Sequence, residues 1–297
     1  MIDFCGVRLE HEVINGSGTF DAIAAQRAFG DELLERFPFS AFVSKTVTLE
    51  PRQGNPPPRL WELGAGMINS IGLPNKGLRG YLAEDLPKLS ELPVPLIVNV
   101  MGSTRDEVAA LVRAFGERDE VAALELNLSC PNVKTGLDFG VDPIATAGLV
   151  EHVRPLADKP LIVKLTPNAG DPSAVAAAAE GAGADAMSLI NTLRGMALHP
   201  HTREPWLGGG TGGVSGPAIR PIALAQVAQV ASRVRVPIVG MGGVQRGADA
   251  LDLLDAGATL VAVGTESFRE PLCASRIVRE LTQLLGEPRL EAPSTVR

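Results

Sequence analysis

The sequence predicts an α/β protein, a (β/α)8 TIM barrel with a parallel eight-stranded core. The first observation is that three segments are close copies of one another: "VPLIVNV" (94–100), "KPLIVKL" (159–165) and "VPIVGMG" (236–242). Each is rich in Val, Leu and Ile, which is typical of a strand buried on both faces. The second observation is that a stretch with helical periodicity follows each segment.

The third observation is a recurrence after the last two copies. "EGAGADAMSLIN" (180–191) and "LDAGATLVAVGT" (254–265) each predict a helix that ends at a glycine, Gly183 or Gly257, before a new strand starts. A repeated strand–helix–strand unit makes neighbouring strands pair in parallel.

Three further segments bring the predicted strands to eight: "AFVSK" (41–45), "GMIN" (66–69) and "AALELN" (122–127). Such barrels commonly use about 250 residues as one domain, so residues 1–297 are expected to form a single domain. The last segment, 286–297, is expected to be a loosely ordered tail.

An open, doubly wound sheet is the alternative architecture. The sequence contains one formal dinucleotide fingerprint, Gly208-x-Gly210-x-x-Gly213, but it does not follow a predicted strand. We therefore attribute this match to chance.

Composition excludes several classes of protein. The net charge is −7 and no block of Lys and Arg occurs, which argues against nucleic acid or an anionic membrane as partner. Cys5, Cys130 and Cys273 are scattered, so neither a disulfide framework nor a metal site is expected. "HPH" (199–201) is interpreted as a loop feature. With no signal peptide and no apolar run of about 18–20 residues, a soluble cytoplasmic protein is expected.

The predicted strands end on polar residues or glycines. In chain order these residues are Lys45, Asn69, Asn99, Asn127, Lys164, Asn191, Gly242–Gly243 and Gly264–Thr265. Active sites of such barrels lie at the carboxyl ends of the strands, and the loops after strands seven and eight often bind phosphate. Glycines there allow backbone N–H groups to approach phosphate oxygens.

Two lysines stand among these strand ends. If Lys45 and Lys164 are buried, as we expect, each needs an anionic or electron-rich partner. Amides, lysines and glycines together indicate a pocket for a planar, hydrogen-bonding heterocycle with a phosphate tail. Flavin mononucleotide (FMN) fits that description, and pyridoxal phosphate fits it less well.

Cys130 follows the fourth predicted strand by three residues, and Pro131 and a glycine-punctuated loop come after it. This loop could move as a lid over the barrel mouth. A thiol there could be a nucleophile, a general base or a small buried side chain. His199 and His201 lie in the loop after strand six, and no histidine is near Cys130 in the sequence. A base beside a flavin would indicate dehydrogenation.

Five segments carry a resemblance to a known family: "NLSCPNVK", "LEPRQGNPPPR", "GAGMINSIGLPN", "INTLRGMA" and "TGGVSGPAIRPIAL". Together they resemble class 1 dihydroorotate dehydrogenases, which are FMN-containing (β/α)8 barrels of pyrimidine biosynthesis. The cysteine of "NLSCPN" is typical of class 1, whereas class 2 uses serine. "INTLRGMAL" and "TGGVSGPAI" resemble subclass 1B, whose catalytic subunits work with a second subunit that carries FAD and a [2Fe–2S] cluster and reduces NAD.

The resemblance implies roles for individual residues. Cys130 and Lys45 are the implied catalytic residues, with Cys130 as the base that takes the C5 proton of dihydroorotate while hydride passes from C6 to FMN N5. The implied substrate-binding residues are Lys45, Asn69, Ile71, Gly72, Leu73, Asn127, Asn132, Asn191 and Thr192. The implied FMN-binding residues are Ser17, Gly18, Lys45, Thr46, Asn99, Asn127, Lys164, Ile190, Gly216, Gly242, Gly243, Gly264 and Thr265. Lys164 would stabilise the negative charge of the reduced flavin.

The resemblance also implies a homodimer within a heterotetramer that includes the electron-transfer subunit. Two other enzymes stay open: a fumarate-using subclass 1A dihydroorotate dehydrogenase, and another FMN-dependent dihydropyrimidine-type dehydrogenase. A third alternative is a non-catalytic barrel that binds a phosphorylated ligand or a partner protein.

Overall fold

The computed structural model describes residues 1–128 and 139–286. The strands are β1 Ile2–Phe4, β2 Val7–Leu9, β3 Val13–Asn15, β4 Phe42–Val43, β5 Leu60–Leu63, β6 Gly66–Asn69, β7 Leu96–Val100, β8 Val121–Asn127, β9 Leu161–Lys164, β10 Ala186–Leu189, β11 Leu193–Gly195, β12 Gly212–Ser215, β13 Ile238–Met241 and β14 Leu260–Val263. The α-helices are α1 Ala22–Phe29, α2 Asp31–Glu35, α3 Gly77–Gly80, α4 Leu86–Leu89, α5 Arg105–Gly116, α6 Pro143–Val153, α7 Pro172–Gly181, α8 Arg220–Ala231, α9 Gly247–Asp255, α10 Glu266–Arg269 and α11 Cys273–Gly286. A π-helical turn covers Tyr81–Asp85, and 3₁₀ turns cover Arg154–Leu156 and Pro217–Ile219.

Eight strands form one parallel sheet in the order β3-β14-β13-β10-β9-β8-β7-β4. Helices α5, α6, α7, α8 and α9 lie in the connections between successive strands from β7 to β14. The predicted (β/α)8 barrel is therefore confirmed, because such crossovers leave parallel pairing as the only arrangement for consecutive strands.

The side chain of Asn15 joins the two ends of this sheet. Its Nδ2 donates a hydrogen bond to the carbonyl oxygen of Val43 over 2.8 Å, and its Oδ1 accepts one from the amide of Val43, also over 2.8 Å. The amide of Ser40 adds a bond of 3.0 Å to the carbonyl of Val13. At this seam the hydrogen bonds between β3 and β4 are made by an amide side chain, whereas elsewhere in the barrel the backbones of neighbouring strands make them.

One of the eight predicted barrel strands is a strand, but the prediction that it belongs to the barrel was wrong. "GMIN" is β6, and it pairs antiparallel with β5 and β12 in a separate sheet of order β11-β12-β6-β5. The barrel strand that replaces it is β3, whose three residues follow the polar run Glu10, His11 and Glu12. Both segments are short and apolar, and periodicity does not distinguish a barrel strand from an inserted one.

The barrel interior changes from apolar to polar along the strands. Inward residues near the amino ends, including Ile97, Ala123, Ile162 and Ala186, pack into one cluster with Phe4 and Leu9 of the β1–β2 hairpin. Because side chains alternate with a period of two, the next inward positions lie two residues further along. These positions hold the buried polar residues Asn99, Glu125, Lys164 and Ser188. The polar end of the interior is therefore the carboxyl end.

The predicted helix ends at the glycines are confirmed. Helices α7 and α9 end just before Gly183 and Gly257, which adopt φ values of 100° and 107°. Only glycine takes such angles without strain, and the turn lets the next strand begin at once.

Two kinds of feature are absent from the described residues. No helix in 1–128 or 139–286 is long and apolar enough to cross a membrane. The same residues contain no group of three or more His, Cys, Asp or Glu side chains that could hold a metal ion. The tail prediction concerns 286–297, of which only Gly286 is described, at the end of α11.

Replacing Asn15 with alanine should destabilise the fold, because the N–H and C=O of Val43 lose their partners at a fully buried site. We expect a loss of about 2–4 kcal/mol in the free energy of unfolding, measured by urea titration. Asn168→Ala is the matched control, since Asn168 is exposed and water can replace its partners. Equal losses in both variants would contradict the role of Asn15 in closing the barrel.

Candidate functional site

A cavity of about 380 Å³ lies at the carboxyl ends of the barrel strands. Its size falls within the range of about 300–1,000 Å³ that is typical of small-molecule sites. The strand-end residues Asn127 and Lys164 line its floor, and Met67 and Gly213 of the antiparallel sheet line another part of its wall. The inserted sheet therefore adds a wall to the barrel mouth and leaves a pocket that is open on one side.

The structure brings almost all of the predicted binding residues together around this cavity. The lining residues that were predicted are Ser17, Gly18, Lys45, Thr46, Asn69, Ile71, Gly72, Leu73, Asn127, Lys164, Ile190, Asn191, Thr192, Gly216, Gly242, Gly243, Gly264 and Thr265. Asn99 is fully buried and does not line the cavity. Cys130, Asn132 and the predicted lid that contains them lie outside the described residues.

Glycines line one end of the cavity where no side chain would fit. Gly242 and Gly243 follow β13 with φ values of 137° and 76°. A Cβ on Gly242 would lie 2.6 Å from the Cβ of Ala223, and one on Gly243 would lie 2.7 Å from the Cβ of Arg220. Near them Gly216 also has a positive φ, 92°. Bare backbone at this position suits a phosphate, which N–H groups can approach closely.

The two predicted lysines occupy different environments. Lys164 is buried, with 5% of its surface exposed, and its Nζ lies 3.9 Å from Oε2 of Glu125. Lys45 is exposed, so the prediction that both lysines are buried was wrong for Lys45. The reason is that β4 ends at Val43, which leaves Lys45 in the following loop at the rim of the cavity.

The ammonium of Lys45 is nevertheless partly desolvated. Desolvation lowers the pKa of Lys45 from its usual value, attraction by Asp21 opposes the shift, and repulsion by Arg59 adds to it. Lys45 is therefore a cation at the cavity rim that an anionic ligand would stabilise.

Neighbouring groups hold the strand-end amides in place. Nδ2 of Asn69 donates to the carbonyl of Gly213 over 3.3 Å, and Nδ2 of Asn127 donates to Oγ1 of Thr46 over 3.2 Å. Oδ1 of Asn191 accepts the amide proton of Thr192 over 2.8 Å. These contacts fix the amides in directions from which they can bind the edges of a polar ring.

Sequence reasoning missed two kinds of residue. The first is small or apolar wall residues, which have no distinctive pattern: Gly16, Thr19, Leu60, Met67, Gly213, Ser215, Ile219, Met241, Ala262 and Phe268. The second is Glu125, which is 3% exposed inside the barrel. A signal for Glu125 did exist: it is an acidic residue within the apolar strand "AALELN", two positions before Asn127 and so on the same face.

The remaining sequence candidates do not reach the cavity. The ring of His199 stacks on Trp206, with centroids 5.2 Å apart, and its Nδ1 accepts the backbone N–H groups of His201 and Thr202. Burial raises the pKa of both Cys5 and Cys273 to about 11, so these thiols carry little negative charge at neutral pH. Neither cysteine lines the cavity.

Comparison with known proteins identifies the family of the chain. A family model described as dihydroorotate dehydrogenase matches residues 1–285. Three curated relatives are named dihydroorotate dehydrogenase B (NAD(+)), catalytic subunit. The protein of Citrifermentans bemidjiense is 44% identical over 98% of this chain and 94% of its own length. The protein of Bacillus pumilus is 44% identical over 96% of this chain and 91% of its own length. The protein of Pelobacter propionicus is 46% identical over 96% of this chain and 93% of its own length.

These similarities extend over nearly the whole of each protein compared, and they include every strand and helix that forms the cavity. The resemblance stated from the sequence motifs is thus confirmed at the level of the family. The chain belongs to the dihydroorotate dehydrogenase family.

Proposed function

We propose that this chain oxidises dihydroorotate to orotate in pyrimidine biosynthesis, with a bound FMN as the immediate hydride acceptor. The observation that carries the proposal is the convergence of the implied binding residues on one cavity of a chain in this family. The relatives' name, dihydroorotate dehydrogenase B, supports the same substrate.

The cavity suits FMN at both of its ends. The glycine-lined end, with Gly216, Gly242, Gly243 and Gly264, would hold the phosphate through backbone N–H groups. At the barrel floor, Lys164 would face the flavin ring, where a cation favours the negative charge that reduction adds. Bound there, FMN would supply the hydride-accepting centre of the reaction.

The chain's own residues would bind the substrate and remove its proton. Lys45, a cation at the rim of the cavity, would bind the carboxylate of dihydroorotate. Asn69, Asn127 and Asn191 would pair with the N–H and C=O groups of its ring. Cys130, three residues beyond Asn127 in the sequence, is proposed as the base that takes the proton from C5. Loss of that proton and of hydride from C6 converts dihydroorotate to orotate.

We further propose that a second subunit with FAD and a [2Fe–2S] cluster carries the electrons to NAD. The relatives' name refers to a catalytic subunit and to NAD(+), which supports a separate electron-transfer subunit. Such a cluster usually requires four cysteines, and this sequence has three scattered ones. The proposed assembly is a homodimer within a heterotetramer, located in the cytoplasm.

Replacing Cys130 with serine should slow flavin reduction by dihydroorotate at neutral pH and move the pH–rate profile to higher pH. The reason is that a hydroxyl is a weaker acid than a thiol, whose reference pKa is about 8.5. Anaerobic stopped-flow bleaching of the flavin measures the effect.

The matched controls are Cys5→Ser and Cys273→Ser, which remove thiols outside the cavity and should leave the profile unchanged. A wild-type profile for Cys130→Ser would exclude the base role. Wild-type protein that carries FMN but is not bleached by dihydroorotate would exclude the proposed function itself.

Binding of orotate should weaken as pH rises. The weakening should begin at a lower pH than it would with an ordinary lysine, whose pKa is about 10.4. The sign follows from Lys45, because its lowered pKa means that the ammonium which attracts the carboxylate is lost earlier. Spectral titration of the bound flavin with orotate between pH 7 and 10 gives the dissociation constants.

Lys45→Arg is the comparison variant, because arginine keeps its charge across this range. It should bind orotate with little pH dependence, whereas Lys45→Ala should bind weakly at every pH. A decline in Lys45→Arg equal to that of wild type would assign the pH dependence to another group.

The isolated chain should form negligible NADH from dihydroorotate and NAD, although dihydroorotate bleaches its flavin. Absorbance at 340 nm measures NADH, and a soluble dye that accepts electrons directly from flavin serves as the control. Rapid NADH formation without a second subunit would contradict the two-subunit proposal, and rapid turnover with fumarate would favour the subclass 1A alternative.

A further inference from the structure

Glu125 is a buried acid at the polar end of the barrel interior that the proposed reaction does not use. It lies on β8 between Leu124 and Leu126, which face outward into the core, and only 3% of its surface is exposed. A carboxylate in such a place is unfavourable unless charge and hydrogen bonds compensate it. The contacts of Glu125 therefore indicate what it does.

Three neighbouring strands supply those contacts. Oε1 accepts a hydrogen bond of 2.7 Å from the hydroxyl of Ser188 on β10. Oε2 accepts a hydrogen bond from Nδ2 of Asn99 on β7 and lies 3.9 Å from Nζ of Lys164 on β9. Among the described residues, Lys164 is the charged group for which a contact with Glu125 is observed.

We infer that Glu125 is a positioning residue that supplies the counter-charge of Lys164 and thereby sets how much negative charge the cavity floor can stabilise. This inference rests on the proposed function, in that the group whose charge changes is taken to be a flavin. Lys164 lines the cavity and Glu125 does not, so Glu125 acts through the lysine rather than by contact with a ligand.

The electrostatic effect has a definite sign. An isolated ammonium at the floor would favour a ligand that gains negative charge on reduction. A carboxylate 3.9 Å from that ammonium offsets part of its field, and both charges are shielded from water. Glu125 therefore keeps the flavin potential more negative than Lys164 alone would, which helps electrons leave the reduced flavin.

Glu125 also determines the orientation of Asn99. Because the carboxylate accepts from Nδ2 of Asn99, the amide oxygen is directed away from Glu125. That oxygen, Oδ1, is buried and accepts no hydrogen bond from the described residues. Reversing the amide would bring two acceptors together, so the ionised carboxylate holds Asn99 with its acceptor free for a donor.

The decisive variant is Glu125→Gln, which keeps the shape of the side chain and removes its charge. In the flavin-loaded protein the equilibrium constant for flavin reduction should rise at least tenfold. This corresponds to a midpoint potential about 30 mV more positive for a two-electron couple. Dye-equilibrated anaerobic reduction with dithionite measures it without dihydroorotate.

Asp185→Asn is the matched control, because it removes a carboxylate at the opposite end of the barrel. That carboxylate pairs with Arg154 and accepts a hydrogen bond from the backbone N–H of Leu161. The midpoint potential of this control should equal that of wild type. If the midpoint potential of Glu125→Gln equals that of wild type, the inference is overturned. The proposed function is tested separately, by whether dihydroorotate bleaches the flavin in the same sample. Wild-type protein that binds no flavin would overturn both.

A second pair of variants tests the pairing without flavin. Lys164→Met should leave Glu125 with only the neutral partners Asn99 and Ser188, so the apoprotein should melt at a lower temperature than wild type. The double variant Lys164→Met/Glu125→Gln removes both charges and should recover part of that loss, because no buried charge is then left without its counter-charge. A double variant that melts at the same temperature as Lys164→Met, or below it, would overturn the pairing.

Discussion

Parallel pairing around the closed barrel is the constraint on which the rest of the structure depends. Because every barrel strand runs in the same direction, all carboxyl ends meet at one mouth, and residues far apart in the chain become neighbours. The seam where Asn15 bonds the backbone of Val43 completes that geometry. Without closure, the loop residues Lys45 and Gly264 would not border the same cavity.

The side-chain alternation of the strands divides the barrel interior into two parts. Near the amino ends, apolar residues and the β1–β2 hairpin fill the interior and exclude water. Two positions further on, Asn99, Glu125, Lys164 and Ser188 form a polar network with few solvent contacts. Interactions between charges are stronger in such surroundings than in water, and the hydrogen bonds of the network restrain its members. The apolar part thus supplies stability, and the polar part supplies a preorganised floor.

The inserted antiparallel sheet forms a second wall of the cavity at the barrel mouth. Its strands come from the connections after β4 and β10, and they add Asn69, Met67 and Gly213 to the cavity wall. A bare barrel mouth would be open to water on this side, whereas the wall would cover a small ligand there. Three of the proposed substrate residues, Lys45, Asn69 and Asn191, lie in or beside these insertions, while the floor residues belong to the barrel strands themselves. Asn127 at the floor is also proposed to contact the substrate, so the two groups of residues meet there.

The sequence by itself determined the barrel, the polar strand ends and the family, because repeated βα units allow only parallel pairing and because the motifs are specific. It also identified most residues of the cavity, since strand ends in a barrel share one face. Only the tertiary structure decided that "GMIN" belongs to the inserted sheet, that Lys45 is exposed and that Glu125 pairs with Lys164. These facts depend on which segments meet across the barrel. Local periodicity predicts on which side of a strand a residue lies, but it does not predict which other residue it contacts.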